Sequence, residues 1–293
     1  MNICILSYDR FRSSMVRIGV IALLFFVSCS NAQTLSPEDR TVRILAIGNS
    51  FSVDALEEHL QELAVAAGHE CEIGNLYIGG CSLERHAGNI INDAGAYEYR
   101  KIAFDGSRSS VNGCSVREAL CDGEWDFVSV QQVSQLSGLY ETYKATLPVL
   151  LDCIKQYSPN AMIVFHQTWA YAANSSHDGF ANYDRNQQQM YDAIVSTGRR
   201  VVKEFDIDLL IPSGTAIQNM RGTYVGDNLT RDGYHLNMLG RYTAACVWFE
   251  AIFGDDVREN NYCAPGIDED LQRMARRAAN AAVENPYSVT ALE

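Results

Sequence analysis

The chain has 293 residues, 36 acidic against 23 basic side chains, a formal charge of −13, nine cysteines and 47% hydrophobic residues. At roughly 100 to 200 residues per domain, this length makes one large domain or two small ones, and the apolar content excludes a disordered chain. The acidity argues against a nucleic-acid binder, which needs clustered Lys and Arg to neutralise phosphates; the sequence holds no such stripe.

Residues 1–29 hold Asp9, Arg10, Arg12 and Arg17, a local charge of +2 that leaves −15 of the total −13 to the rest. Arg17 precedes the apolar run Ile18 to Val27. That run suits the core of a signal peptide and is shorter than the ~20 residues a bilayer-spanning helix needs. Met15 would serve as an alternative start. Phe26-Val27-Ser28-Cys29 resembles a bacterial lipobox, which would leave Cys29 lipidated, and Ser30-Asn31-Ala32 before Gln33 is a signal-peptidase site; both routes stay open. Residues 1–32 are thus expected to be an export signal, 33–40 a linker and 41–293 the folded domain, placed in the periplasm or at the outer membrane.

Seven cysteines remain once Cys4 and Cys29 are set aside, an odd number, with no C-x-x-C pair and no zinc-ligand spacing. Cys153 and Cys246 fall in helical apolar patterns, where cysteine is a small buried hydrophobe. Cys114 and Cys121 could close a short disulfide loop in an oxidising compartment.

In chain order, the mature part alternates short β-branched runs with amphipathic stretches, a βαβ pattern with a mostly parallel sheet. Strands are expected at Val42–Ile47, Glu72–Tyr77, Phe127–Val130, Met162–His166 and Leu209–Ile211. The first helix is signalled by Asp54 with Glu57 as a capping box, by Leu56, Leu60, Leu63 and Ala67 on one face, and by Gly68 as terminator. Residues 86–121 break the alternation. There Phe104-Asp-Gly106 and Val111-Asn-Gly113 predict a β-hairpin or loop insertion, either a site-shaping element or a structural flap. Later helices follow from Leu147, Leu151 and Ile154, from Met190, Ile194, Val201 and Phe205, and from Leu239, Cys246, Phe249 and Phe253; these stripes are core.

Ile44-Leu-Ala-Ile47-Gly48-Asn49-Ser50-Phe51-Ser52 is a hydrophobic strand running through a glycine turn into a helix. A serine there stands at the carboxyl edge of a parallel sheet, beside a helix N-terminus, where a nucleophile is useful. An ordinary N-cap at Ser50 or Ser52 gives the same pattern. A serine nucleophile needs a base, and the base a carboxylate to orient it. Asp232-Gly-Tyr-His235, in a glycine-containing loop before the last predicted helix, supplies both, although Asp232 could instead cap that helix and His235 stand exposed.

With a serine after the first strand and Asp-x-x-His before a late helix, the sequence resembles the SGNH (GDSL-type) hydrolase superfamily across about residues 42–253, and in particular its exported branch common in gut Bacteroidetes. Gly48-Asn49-Ser50 matches the first block with Asn for Asp, Gly79-Gly80 the second, and Asp232 to His235 the last. The third block is replaced by Gln131-Gln132-Val133-Ser134. The resemblance implies a single three-layer, flavodoxin-like α/β domain with a five-stranded parallel sheet and an insertion between strands two and three. It implies Ser50 as nucleophile, His235 as base and Asp232 as its orienter, with no metal or cofactor. The oxyanion would meet the N–H groups of Ser50 and Gly80 and an amide, Gln131 rather than Gln132.

His86, His166 and Trp169 are candidate contacts for a sugar, with Gln132, or are ordinary buried side chains. The stretch Tyr171 to Tyr183, with Asn186 and Gln187 to Gln189, is either a carbohydrate cleft or a polar loop. The functional expectation is an exported esterase acting on acylated, foremost acetylated, oligo- or polysaccharide. A lipase or thioesterase on the same triad, and a non-catalytic glycan-binding lipoprotein, are the alternatives.

Overall fold

The computed structural model describes residues 41–292. The expected export signal, Cys29 and the linker lie outside the described residues. In chain order the elements are β1 (Thr41–Gly48), α1 (Ser50–Leu56), α2 (Leu60–Ala66), β2 (Glu70–Tyr77), α3 (Leu83–Ile91), β3 (Tyr97–Ile102), β4 (Arg108–Cys114), α4 (Val116–Cys121) and β5 (Phe127–Val130). There follow α5 (Glu141–Lys144), α6 (Leu147–Tyr157), β6 (Met162–His166), α7 (Gln187–Glu204), β7 (Leu209–Ile211), α8 (Ser213–Arg221), α9 (Met238–Phe253) and α10 (Glu269–Glu284).

β1 is apolar almost throughout because both its faces are covered. Val42, Ile44 and Ala46 belong to one hydrophobic cluster and Leu45 and Ile47 to another, the two-residue period of a strand between two helix layers. It pairs in parallel with β2 on one side and β5 on the other, and β5 leads in parallel to β6 and β7. The full order is β4-β3-β2-β1-β5-β6-β7. The sheet is therefore mixed and seven-stranded, wider than the five-stranded parallel sheet expected, because β3 and β4 extend it antiparallel beyond β2. The strand order turns back at β1 and β5, which opens a crevice beyond their carboxyl ends.

Local chemistry overrode three expectations. Asn49, not Asp54, caps the first helix, its Oδ1 accepting from the Phe51 N–H at 3.0 Å, and the helix breaks at His59 before resuming as α2. Of the two turn signals, only Phe104-Asp-Gly106 turns the hairpin. Val111-Asn-Gly113 runs inside β4, which shifts register near its end. All seven described cysteines are free, so Cys114 and Cys121 form no bridge. The largely buried α8 and the amphipathic α10 were not foreseen; α10 packs on α9, a helix buried on nearly every side. Among the described residues no helix is long and apolar enough to cross a membrane.

Burial pushes the thiols of Cys71 and Cys246 up to about 12, whereas Cys121 and Cys263 are exposed. Titration of the folded domain with a chromogenic disulfide is therefore expected to find two prompt thiols, and after unfolding all seven. A smaller total after unfolding would reveal a disulfide and contradict this arrangement.

Candidate active site

The site is built on the carboxyl edge of the sheet. β1 ends in Gly48, where an added Cβ would lie 2.4 Å from Ser52 Oγ, so only glycine allows so tight a turn into α1. Asn49 follows in extended backbone and leaves Ser50, half-buried, as the first residue of α1. The N–H groups of a helix's first turn have no partner within the helix, and that of Ser50 is one of them. After β2, Gly80 takes φ +61°, a left-handed conformation costly for any other residue, and open space lies above its Cα.

The second half of the site comes from the loop before α9. Thr230 and Leu236 form an antiparallel bridge, and the Arg231 N–H donates to the His235 carbonyl at 2.9 Å, so the intervening residues form a closed turn. Inside it Asp232 Oδ1 accepts from the N–H groups of Tyr234 (3.1 Å) and His235 (2.8 Å), and Asp232 Oδ2 lies 2.6 Å from His235 Nδ1. His235 Nε2 lies 2.9 Å from Ser50 Oγ. Partial burial works to raise the Asp232 carboxyl, but hydrogen bonds from the His235 ring and from two backbone N–H groups outweigh it and hold the group below the ordinary carboxylate range. An ionised Asp232 can only accept, so the proton of the imidazole sits on Nδ1 and the lone pair of Nε2 faces the serine hydroxyl.

Several expected ligand contacts are instead parts of the fold. The amide of Gln131 is 1% exposed: its Nε2 donates to Asn49 Oδ1 at 2.9 Å and its Oε1 meets His166 Nδ1 at 2.7 Å. It supports the turn into α1, so the expected role of oxyanion donor is not open to it. Gln132 accepts from the Leu83 N–H at 2.9 Å and donates to Thr142, tying the end of β5 to the start of α3. His86 is fully buried, stacked on Tyr97 and paired with its hydroxyl at 2.8 Å. Trp169, also fully buried, stacks on Phe51 at 4.2 Å and donates from Nε1 to the Tyr234 carbonyl at 2.7 Å. Its indole thus touches the neighbours of both Ser50 and His235, and has no free face for a sugar. In the polar stretch, Asn186 caps α7 and Gln187 donates to the Tyr171 carbonyl.

Two further residues join the site in roles that the sequence reading did not give them. Ser213, the first residue of α8, pairs with His166 Nε2 at 3.0 Å and completes a chain from Asn49 through Gln131 and His166. Asp54 is fully buried beside the turn that bears Asp232 and His235. Its spacing of four residues from Ser50, one helical turn, was the only sign that the two share a face.

The structure thus sets a serine after the first strand against an Asp-x-x-His turn before α9, at the carboxyl edge of a mixed sheet. The chain belongs to the DUF4886 family, "domain of unknown function", whose model matches residues 43–282. A crystal structure of a DUF4886 family protein from Bacteroides uniformis is 50% identical, with 86% of this chain and 98% of that one aligned at a TM-score of 0.85. A proposed SGNH hydrolase from Slackia heliotrinireducens shares the fold at 22% identity, covering 72% of this chain and 98% of that one, with a TM-score of 0.51. The comparison with curated proteins finds no match.

Burial holds His86 and His166 neutral, lowering each from 6.5 to about 3. A histidine whose folded pKa is depressed binds its proton only in the unfolded chain, so its contribution to stability is complete above pH ~6.5 and declines as the pH falls toward 3. Between pH 7 and pH 5 each should remove about 2 kcal/mol from the unfolding free energy, or about 4 together. Urea unfolding at the two pH values measures this; equal stability at both would contradict it.

Proposed function

We propose that the chain is an exported serine esterase that removes O-acyl groups, O-acetyl foremost, from carbohydrate. The observation that carries the reading is the continuous relay Asp232–His235–Ser50, with separations of 2.6 and 2.9 Å. As Ser50 Oγ attacks the ester carbonyl, its proton passes to His235 Nε2, and Asp232 stabilises the imidazolium that results. The oxyanion is met by the N–H groups of Ser50 and Gly80. When the tetrahedral intermediate collapses, His235 gives that proton to the departing alcohol oxygen and the acyl group stays on Ser50. Water then attacks the acyl-enzyme with His235 again as base, releasing the carboxylic acid and restoring the Ser50 hydroxyl.

The choice of carbohydrate over lipid is supported by a polar recess of about 410 Å³ that reaches Asp232, with Asn174, Ser176 and Thr230 in its wall. Export rests on the run Ile18 to Val27, and lipid attachment at Cys29 on the lipobox-like Phe26 to Cys29. The purified protein is expected to release acetate from acetylated xylan or a chromogenic acetate. Ser50→Ala should lower kcat by on the order of 10⁴-fold or more. A preference for octanoyl over acetyl esters would favour a lipase-type activity. Glycan binding that Ser50→Ala leaves unchanged, with no turnover by either protein across a broad ester panel, would overturn the esterase reading.

A further inference from the structure

We propose that Asp54 is a positioning residue whose carboxylate straps the loop bearing Asp232 and His235 to the helix bearing Ser50, and so sets the gap across which the serine proton moves. The inference rests on the esterase reading of Ser50, Asp232 and His235.

Asp54 lies one turn along α1 from Ser50, and its side chain is wholly out of water. A carboxylate is kept in such a place only where donors fill its oxygens. Four contacts do so. Arg231 Nη1 reaches Oδ1 at 3.0 Å and Oδ2 at 3.2 Å, the Leu236 N–H donates to Oδ2 at 2.8 Å, and Arg241 Nη2 reaches Oδ1 at 2.8 Å. Arg231 and Leu236 are the residues that immediately bracket Asp232 to His235. The turn between them is closed on itself by the Thr230–Leu236 bridge, by the Arg231 N–H to His235 carbonyl bond and by Arg231 Nη1 on the Leu236 carbonyl. Asp232 and His235 therefore move as one unit, and the grip on that unit's two ends decides where Nε2 points. Asp54 holds both ends from the nucleophile's own helix, while Arg241, on α9, fixes the carboxylate from behind.

No step of acyl transfer uses Asp54, so its loss should act on kcat and spare KM. A misplacement near 1 Å can cost on the order of 100-fold in rate. Arg231→Ala is the gentler probe, because Arg241 remains to pair the buried carboxylate. With a chromogenic acetate ester, Asp54→Asn and Arg231→Ala are expected to lower kcat by about 10- to 100-fold with KM within about twofold, and Arg231→Lys to lose less than Arg231→Ala. Amide hydrogen exchange across residues 229–237 should quicken by about tenfold in both variants and stay unchanged in the sheet. If Asp54→Asn does not fold, Arg231→Ala decides. Folded variants with kcat within about twofold of the parent would overturn the proposal. An inert parent would overturn the esterase reading instead, and the strap would then stand or fall on exchange: quickened exchange supports it, unchanged exchange refutes it.

Discussion

The side-chain amide of Asn49 is the joint on which the site depends. Its Oδ1 accepts from the Phe51 N–H and from Gln131, and its Nδ2 donates to the Cys81 carbonyl at 3.1 Å. One buried group thus starts α1, holds the turn after β2 and receives the end of β5. An ionised aspartate, which the SGNH resemblance would put here, could not donate to the Cys81 carbonyl. Asparagine here supplies a donor, beyond keeping an acceptor oxygen. Because both ends of the amide are committed, the rest of the chain has a direction. Gln131 must present its nitrogen to Asn49 and its oxygen to His166, the His166 proton sits on Nδ1, and Nε2 accepts from Ser213. A buried network of this kind fixes geometry only when every member is satisfied. Here it runs from β1 across β5 and β6 to the start of α8.

A second set of contacts joins the two halves of the site, which lie 185 residues apart in sequence. Trp169 bridges them with apolar surface, stacking on Phe51 and holding the Tyr234 carbonyl. The Asp54 carboxylate bridges them with charge. The indole sets how closely the parts approach, whereas directional hydrogen bonds set their orientation. A proton transfer between Ser50 and His235 needs both.

Elements whose signal is local were legible in the sequence. Phe127–Val130 and Met162–His166 fall where short apolar β-branched runs placed them, since a strand buried on both faces has little other composition open to it, and the edge strand Leu209–Ile211 falls on its own apolar run. Ser50, Asp232 and His235, which the structure brings together, each occupy a short motif at an element boundary. Tertiary contacts decided the rest. Asp54 resembled a helix cap because the sequence cannot show the two arginines that reach it from far along the chain. His86 and Trp169 stood at the expected edge of the sheet, but the sequence does not reveal which side chains turn inward. Val111-Asn-Gly113 has the composition of a tight turn, yet pairing with β3 carries it on as strand.

The fold delivers Ser50 on a helix start, Gly80 on an adjacent open turn, and His235 on a closed loop gripped from two sides. The central claim is that this arrangement makes Ser50 a nucleophile through His235. Intact-protein and peptide mass spectrometry after exposure to a fluorophosphonate tests it without knowledge of the natural substrate. The account predicts one adduct per chain, on Ser50, formed at least about 100-fold more slowly in His235→Ala. An unmodified protein, or an adduct on Ser50 whose rate ignores His235, would contradict it.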